Sequence, residues 1–107
     1  MIMTKKQVKQ DLRDIATLKK SIRICSFNNI ARKELTLEII SIMTTTMRIC
    51  LKERDIVLQD KFQEVIDGLE SYVTEDNTLY GGSDSIGKVL GIVNLGDSLL
   101  RVEVLEA

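Results

Sequence analysis

The central stretch of the chain, residues 30–51, reads IARKELTLEIISIMTTTMRICL. At 100° per residue, the apolar side chains of this stretch point in every direction around a helix. A helix that is apolar all round must be covered on all sides by other elements. The sequence therefore predicts a central helix over about 29–52. The run of β-branched residues from Thr44 to Thr46 leaves open that part of it is a strand.

An amphipathic helix is predicted on each side of the central one. The first covers about 4–24, with Thr4 and Gln7 in a capping box, and a polar turn at Ser26–Asn29 separates it from the central helix. Its apolar residues recur at helical spacing: Val8, Leu12, Ile15 and Ile22. The other helix covers about 55–73. Its apolar stripe is Leu58, Phe62, Val65, Ile66, Leu69, Tyr72 and Val73.

The C-terminal third carries the chain's strongest helix-breaking signals. Residues 74–85 are polar and contain glycine, which predicts a flexible loop. Further glycines follow, and apolar residues alternate with charged ones near Arg101 and Glu103. This pattern predicts a small β-hairpin over about 88–95 and 98–105, with its turn at Gly96-Asp97. The expected fold is thus mainly α: one domain over residues 1–107, with three helices and a C-terminal hairpin packed on them.

Composition limits the classes of function. Of 107 residues, 34 are Ile, Leu or Val, which is typical of one compact domain. The chain has no histidine, which excludes Ser-His and Cys-His nucleophile pairs and mixed Cys/His zinc sites. We therefore expect no enzymatic activity, no catalytic residues, no metal site and no cofactor. Cys25 and Cys50 are isolated thiols among aliphatic residues, as expected of reduced, buried cysteines.

The start of the sequence indicates a cytoplasmic protein. Met1-Ile2-Met3 is followed directly by Thr4-Lys5-Lys6, without the apolar core of a signal peptide. No stretch approaches the roughly 20 apolar residues that a membrane-spanning helix needs. We expect no contact with a membrane, because the apolar face of the first helix lacks aromatic anchors.

Charge is segregated along the chain. Residues 1–33 carry a net charge of +7 and residues 53–107 a net charge of −8, although the whole chain has only −1. On the first helix, six basic residues share an arc of about 100°. We call this set the basic face: Lys5, Lys6, Lys9, Arg13, Lys20 and Arg23. Four carboxylates align opposite the apolar stripe of the third helix: Glu53, Asp60, Glu64 and Asp67.

One string resembles a phosphate-binding loop. Residues 82–89 read GSDSIGKV and match the spacing GxxxxGK, but Val89 stands where a Ser or Thr would hold Mg²⁺. Such loops follow a buried strand and precede a helix, whereas here an acidic loop precedes the string and a glycine-broken segment follows it. The residues that could still contact a small ligand are Tyr80, Gly81, Gly82, Ser83 and Lys88.

The expected function is a small non-enzymatic interaction module, a regulator, adaptor or inhibitor that binds another protein. We also expect it to form a homo-oligomer, because three helices cannot fully cover the central one. One alternative is a nucleic-acid-binding protein that uses the basic face. A second alternative is a binder of a small phosphate or nucleotide ligand through the 81–88 glycine loop at a subunit junction.

Overall fold

The computed structural model describes residues 3–107 and contains four α-helices. Met1 and Ile2, on which part of the argument against a signal peptide depends, lie outside the described residues. A π-helical segment, Arg101–Leu105, continues the last helix. The N–H of Glu106, the residue that follows this segment, donates to the carbonyl oxygen of Arg101 at 2.8 Å, which is the five-residue spacing of a π-helix. The helices are α1 (Lys5–Ile24), α2 (Asn29–Glu53), α3 (Gln59–Glu70) and α4 (Asp84–Leu100).

Helix α2 lies at the centre of the bundle and packs against α1, α3 and α4. Helix α4 is antiparallel to α1: Lys19 bonds to Asn94, and Lys5, near the start of α1, bonds to Ala107. The core lies between the four helices, and its largest fully buried side chains include Phe62, Ile39, Met43, Met47, Ile66 and Leu100. The fourth helix supplies cover for α2 that the sequence did not predict. An uncovered central helix therefore gives no reason to expect a homo-oligomer.

The threonine run does not interrupt α2, which is helical throughout. Thr44 Oγ1 donates to the carbonyl oxygen of Ile40 at 2.8 Å, one helical turn earlier. Thr46 Oγ1 donates to Asp11 Oδ2 at 2.8 Å and so links α2 to α1. Both hydroxyls are buried and both donate a hydrogen bond, so burial of these two threonines leaves no hydroxyl donor unsatisfied.

Local capping signals set where the first two helices begin. Thr4 Oγ1 accepts a hydrogen bond from Gln7 N at 3.1 Å, and Asn28 Oδ1 accepts one from Ala31 N at 3.0 Å. The reciprocal half of the capping box, a bond from Thr4 N to the Gln7 side chain, does not occur among residues 3–107; Gln7 Nε2 donates to Asp11 Oδ1 at 2.9 Å. Helix α3 is shorter than the predicted range 55–73 at both ends. Residues 54–58 form the connection from α2, and residues 71–73 form a turn that leads into the bridge between Val73 and Leu79.

The predicted β-hairpin over 88–95 and 98–105 is wrong, since both ranges are helical and no strand occurs between residues 3 and 107. Three glycines in α4 cost about 1 kcal/mol each relative to alanine. Burial of large aliphatic side chains stabilises the helix by about 1.5–3 kcal/mol each, which outweighs that cost. They lie on one helical face: Ile86, Val89, Val93 and Leu100. A two-stranded hairpin would also have left its edges unpaired.

The segment between α3 and α4 contains a hydrogen-bonded turn. Val73 and Leu79 form an isolated antiparallel bridge, and Thr74 N donates to the carbonyl oxygen of Thr78 at 2.9 Å. Asn77 has a φ of 56°, a left-handed conformation that asparagine tolerates better than most residues. The predicted loop of residues 74–85 ends earlier than expected, because α4 begins at Asp84. The flexibility of the remaining residues stays a prediction.

Candidate interaction surfaces

All six residues of the basic face are exposed on α1. Lys5 Nζ donates to the carbonyl oxygen of Ala107 at 2.8 Å. The other five side chains have no hydrogen-bond or ion-pair partner among residues 3–107. The two carboxylates of α1 bond to other residues instead of these cations: Asp11 accepts from Thr46, and Asp14 accepts from Gln10 at 2.9 Å. The cations of this face are therefore available to a partner.

The acidic residues on α3 do not neutralise the basic face within one chain. Ion pairs in the described part of the chain join Arg48 to Glu70, Lys61 to Glu64 and Arg101 to Asp97. None of them connects α1 with α3, because α2 and α4 are the neighbours of α3 in the bundle. Any pairing between the two charged faces would have to involve separate molecules.

Positive charge also gathers where α1 meets the end of α4. Lys19 Nζ donates to Asn94 Oδ1 at 2.5 Å. Burial lowers the pKa of Lys19, and the nearby charges of Arg23 and Arg101 act in the same direction, while Asp97 opposes them. Arg101 Nε donates to Asp97 Oδ1 at 2.5 Å, so one carboxylate lies among three cations. Arg101, which follows α4 directly and pairs with Asp97, therefore lies beside the cations at the end of α1.

Four carboxylates were predicted to align on the third helix. No group of three or more His, Cys, Asp or Glu residues in the described range is arranged to hold a metal ion. Glu53 Oε2 accepts from Met3 N at 2.6 Å, and Asp67 Oδ1 accepts from Gln63 at 2.9 Å. Asp60 is exposed. Asp60, Glu64 and Asp67 lie on α3, but Glu53 is the last residue of α2, so the predicted alignment of four carboxylates on one helix is wrong. A cation site requires oxygens that converge on one point.

The GxxxxGK string lies across the start of α4. Because α4 begins at Asp84, the backbone of Gly87 and Lys88 is helical and its N–H groups bond within the helix. Ser85 N and Ser85 Oγ both use the carbonyl oxygen of Gly82, at 3.1 and 2.7 Å. Few backbone donors remain to surround a phosphate.

The other residues of the candidate ligand loop lie just before α4. Tyr80 has an exposed ring, and its N–H donates to the carbonyl oxygen of Tyr72 at 2.7 Å. Gly81 has a φ of 88°, which favours glycine. Ser83 takes the N-cap position of α4 but makes no side-chain capping bond. Ligand binding by this loop stays a prediction.

The two cysteines lie near opposite ends of the α2 helix. Cys25 is half-buried beside the α1–α2 turn, whereas Cys50 is fully buried. Burial raises the pKa of the Cys50 thiol, and the neighbouring Arg54 partly opposes this. The rise of about 1.5 Å per residue along α2 separates the two by tens of ångströms, too far for a disulfide within one chain.

Two exposed apolar clusters were not predicted from the sequence. At the α1–α2 turn, Phe27 is fully exposed, Ile24 is 82% exposed and Ile30 is 74% exposed; we call these three residues the tip. At the α2–α3 connection, Val57 is 86% exposed and Leu58 is 38% exposed; we call this pair the base. An aromatic residue within Ser26–Asn29, a turn rich in polar residues, is the one signal that could have indicated the tip.

Comparisons with known proteins found no matching family model, no similar curated protein and no similar solved structure. Among the described helices, none is both long enough and apolar enough to cross a membrane.

Proposed function

We propose that this protein is a non-enzymatic interaction module, a regulator, adaptor or inhibitor, that binds an acidic surface of a partner protein through the basic face of α1. The observation that carries the proposal is that five of the six cations lack any partner among residues 3–107. Between Lys5 and Arg23 the face extends over about 27 Å, long enough to contact several carboxylates at once.

The shape of this surface favours a macromolecule over a small ligand. Lys6, Lys9 and Arg13 border a depression of about 530 Å³ whose lining comes from α1 alone. A groove between side chains of a single convex helix cannot enclose a small molecule. The basic face can instead offer several separate cations to an extended partner, and each exposed charge–charge contact adds a modest amount to the binding energy.

The proposal is tested by fluorescence anisotropy with a labelled polyglutamate peptide as the acidic probe. The variant Lys9→Glu/Arg13→Glu should weaken binding at least tenfold, because it replaces attractive contacts by repulsive ones. The matched control is Lys61→Glu/Lys88→Glu, which makes the same change in net charge at exposed positions outside α1. Equal loss of binding in both variants would contradict a role for the basic face.

Nucleic acid is the second candidate partner, favoured by the length of the cation row. A duplex presents a phosphate every 3.4 Å along each strand, so a 27 Å face could contact several phosphates. The net charge of −1 and the absence of aromatic residues near these cations, other than Phe27, count against it. If duplex DNA binds more tightly than polyglutamate, and its affinity falls steeply as the salt concentration rises, the partner of the basic face is nucleic acid rather than an acidic protein.

The phosphate or nucleotide alternative concerns the loop at residues 81–88 and has its own test. A ligand that binds only the folded protein raises its melting temperature by mass action. Absence of any thermal shift with millimolar nucleotides would remove this alternative.

A further inference from the structure

The tip combines an apolar projection with positive charge. Ile24, Phe27 and Ile30 expose apolar side chains at the turn between α1 and α2. Within two helical turns of them lie four cations, and residues 15–33 contain no carboxylate. None of these cations has a hydrogen-bond or ion-pair partner in residues 3–107: Lys20, Arg23, Arg32 and Lys33.

The base has the complementary character. Val57 and Leu58 border a depression of about 360 Å³ lined by residues 56–61. The exposed carboxylates of Asp55 and Asp60 flank it and have no partner in the described part of the chain. Two of the nearby cations are engaged: Arg54 donates to the carbonyl oxygen of Met3 at 2.6 Å, and Lys61 pairs with Glu64. The third, Lys52 in the last turn of α2, is exposed.

From this complementarity we infer that the tip of one copy binds the base of a second copy. Phe27 enters the depression beside Val57 and Leu58, while the cations around the tip approach Asp55 and Asp60. The two surfaces lie at opposite ends of α2, a helix of 25 residues and therefore about 37 Å long. One molecule cannot bring its own tip to its own base. The contact is heterologous, and it repeats head to tail.

Charge distinguishes this arrangement from a symmetric one. A tip-to-tip dimer would bring the same four cations of both copies together, which disfavours association. A tip-to-base contact pairs them with carboxylates and covers apolar side chains on both partners. Exposed apolar clusters of this kind mark interaction sites on soluble proteins. Two cations around the tip, Lys20 and Arg23, also belong to the basic face. Phe27, Val57 and Leu58 lie outside it, so substitutions at these three positions test self-association and leave the basic face unchanged.

The experiment is sedimentation velocity of the full chain over a concentration series. The wild type should show a mass that rises with concentration. The tip variant Phe27→Asp and the base variant Val57→Asp/Leu58→Asp should each weaken self-association by roughly tenfold or more. Val102→Asp, at another exposed apolar position in a different part of the surface, is the matched control and should associate like the wild type. Circular dichroism checks that each variant is folded.

Mixing the two defective variants gives the decisive result. Each retains one intact surface, so an equimolar mixture should form a complex of two subunits that neither variant forms alone. A mixture that stays monomeric would overturn the heterologous contact, as would a wild type that is monomeric at every concentration. Binding to anionic phospholipid vesicles that Phe27→Asp abolishes, without self-association of the wild type, would instead assign the tip to a lipid surface.

Discussion

Gly91 and Gly96 lie five residues apart in α4 and differ in what surrounds them. A Cβ atom added to Gly91 would meet no other atom within 4 Å. A Cβ atom added to Gly96 would lie 2.9 Å from Met43 Sδ and 3.1 Å from Val65 Cγ1, closer than van der Waals contact allows. Gly96 thus lies where α4 packs closely against both α2 and α3. Replacing each glycine by alanine tests that packing.

The two substitutions share one contribution and differ in another. Replacing glycine by alanine inside a helix stabilises it by about 1 kcal/mol, so Gly91→Ala should raise the free energy of unfolding by about that amount. Gly96→Ala has the same gain, but overpacking of a buried contact costs about 1–3 kcal/mol. Since the helical contribution cancels, the two variants should differ by about 1–3 kcal/mol, with Gly96→Ala the less stable.

Urea unfolding followed by circular dichroism at 222 nm measures this difference. Heating should agree, with a shift of about 4 °C in melting temperature for each kcal/mol. If Gly96→Ala stabilised the protein as much as Gly91→Ala does, α4 would not pack closely on α2 and α3. A loss of stability in Gly91→Ala would contradict an exposed helical position for that residue.

Two more predictions concern buried polar groups. Thr46→Val keeps the shape of the side chain but removes the hydroxyl that donates to Asp11, so it should lower the free energy of unfolding in urea by about 1–3 kcal/mol. The control Thr45→Val, at an exposed position, should change that free energy little. Because burial raises the pKa of Cys50, a thiol reagent should label Cys25 alone in the native protein and both cysteines in urea. The folded state favours the neutral Cys50 thiol. Its contribution to the free energy of unfolding is therefore complete below the ordinary cysteine pKa of about 8.5, and it is lost as pH rises through the raised pKa of the folded state. Urea unfolding of the wild type and of Cys50→Ala at pH 7 and pH 10 measures this contribution.

The amphipathic pattern predicted α1 and α3 because their apolar residues repeat with the period of the helix. Val8, Leu12 and Phe62 are all buried, as the spacing requires. Thr4 and Asn28 cap the helices they precede, since a cap depends on residues only three positions away. The pattern failed for α4, where glycine content argued against a helix. Whether a glycine weakens a helix or makes room for a neighbour depends on residues far away in sequence, here Met43 and Val65.

The candidate surfaces divide in the same way. The phase of the α1 helix places six cations on one side, and all six are exposed in the fold. Their lack of carboxylate partners could not be predicted, because it depends on which helices become neighbours. The exposure of Phe27 and Val57 could not be predicted from the sequence either, because a residue in a turn is buried or exposed according to which other segments pack over it.

The sequence by itself determined the positions of the first two helices, the apolar stripe of the third, the start of each capped helix and the charged faces that α1 and α3 carry. These features depend on residues within a few positions of each other, and helical periodicity relates them directly. Only the tertiary structure decided that residues 84–100 form a helix, that this helix covers α2, and that α1 and α3 remain apart. Those outcomes depend on burial shared between distant segments, which outweighs local preferences such as the helix cost of glycine.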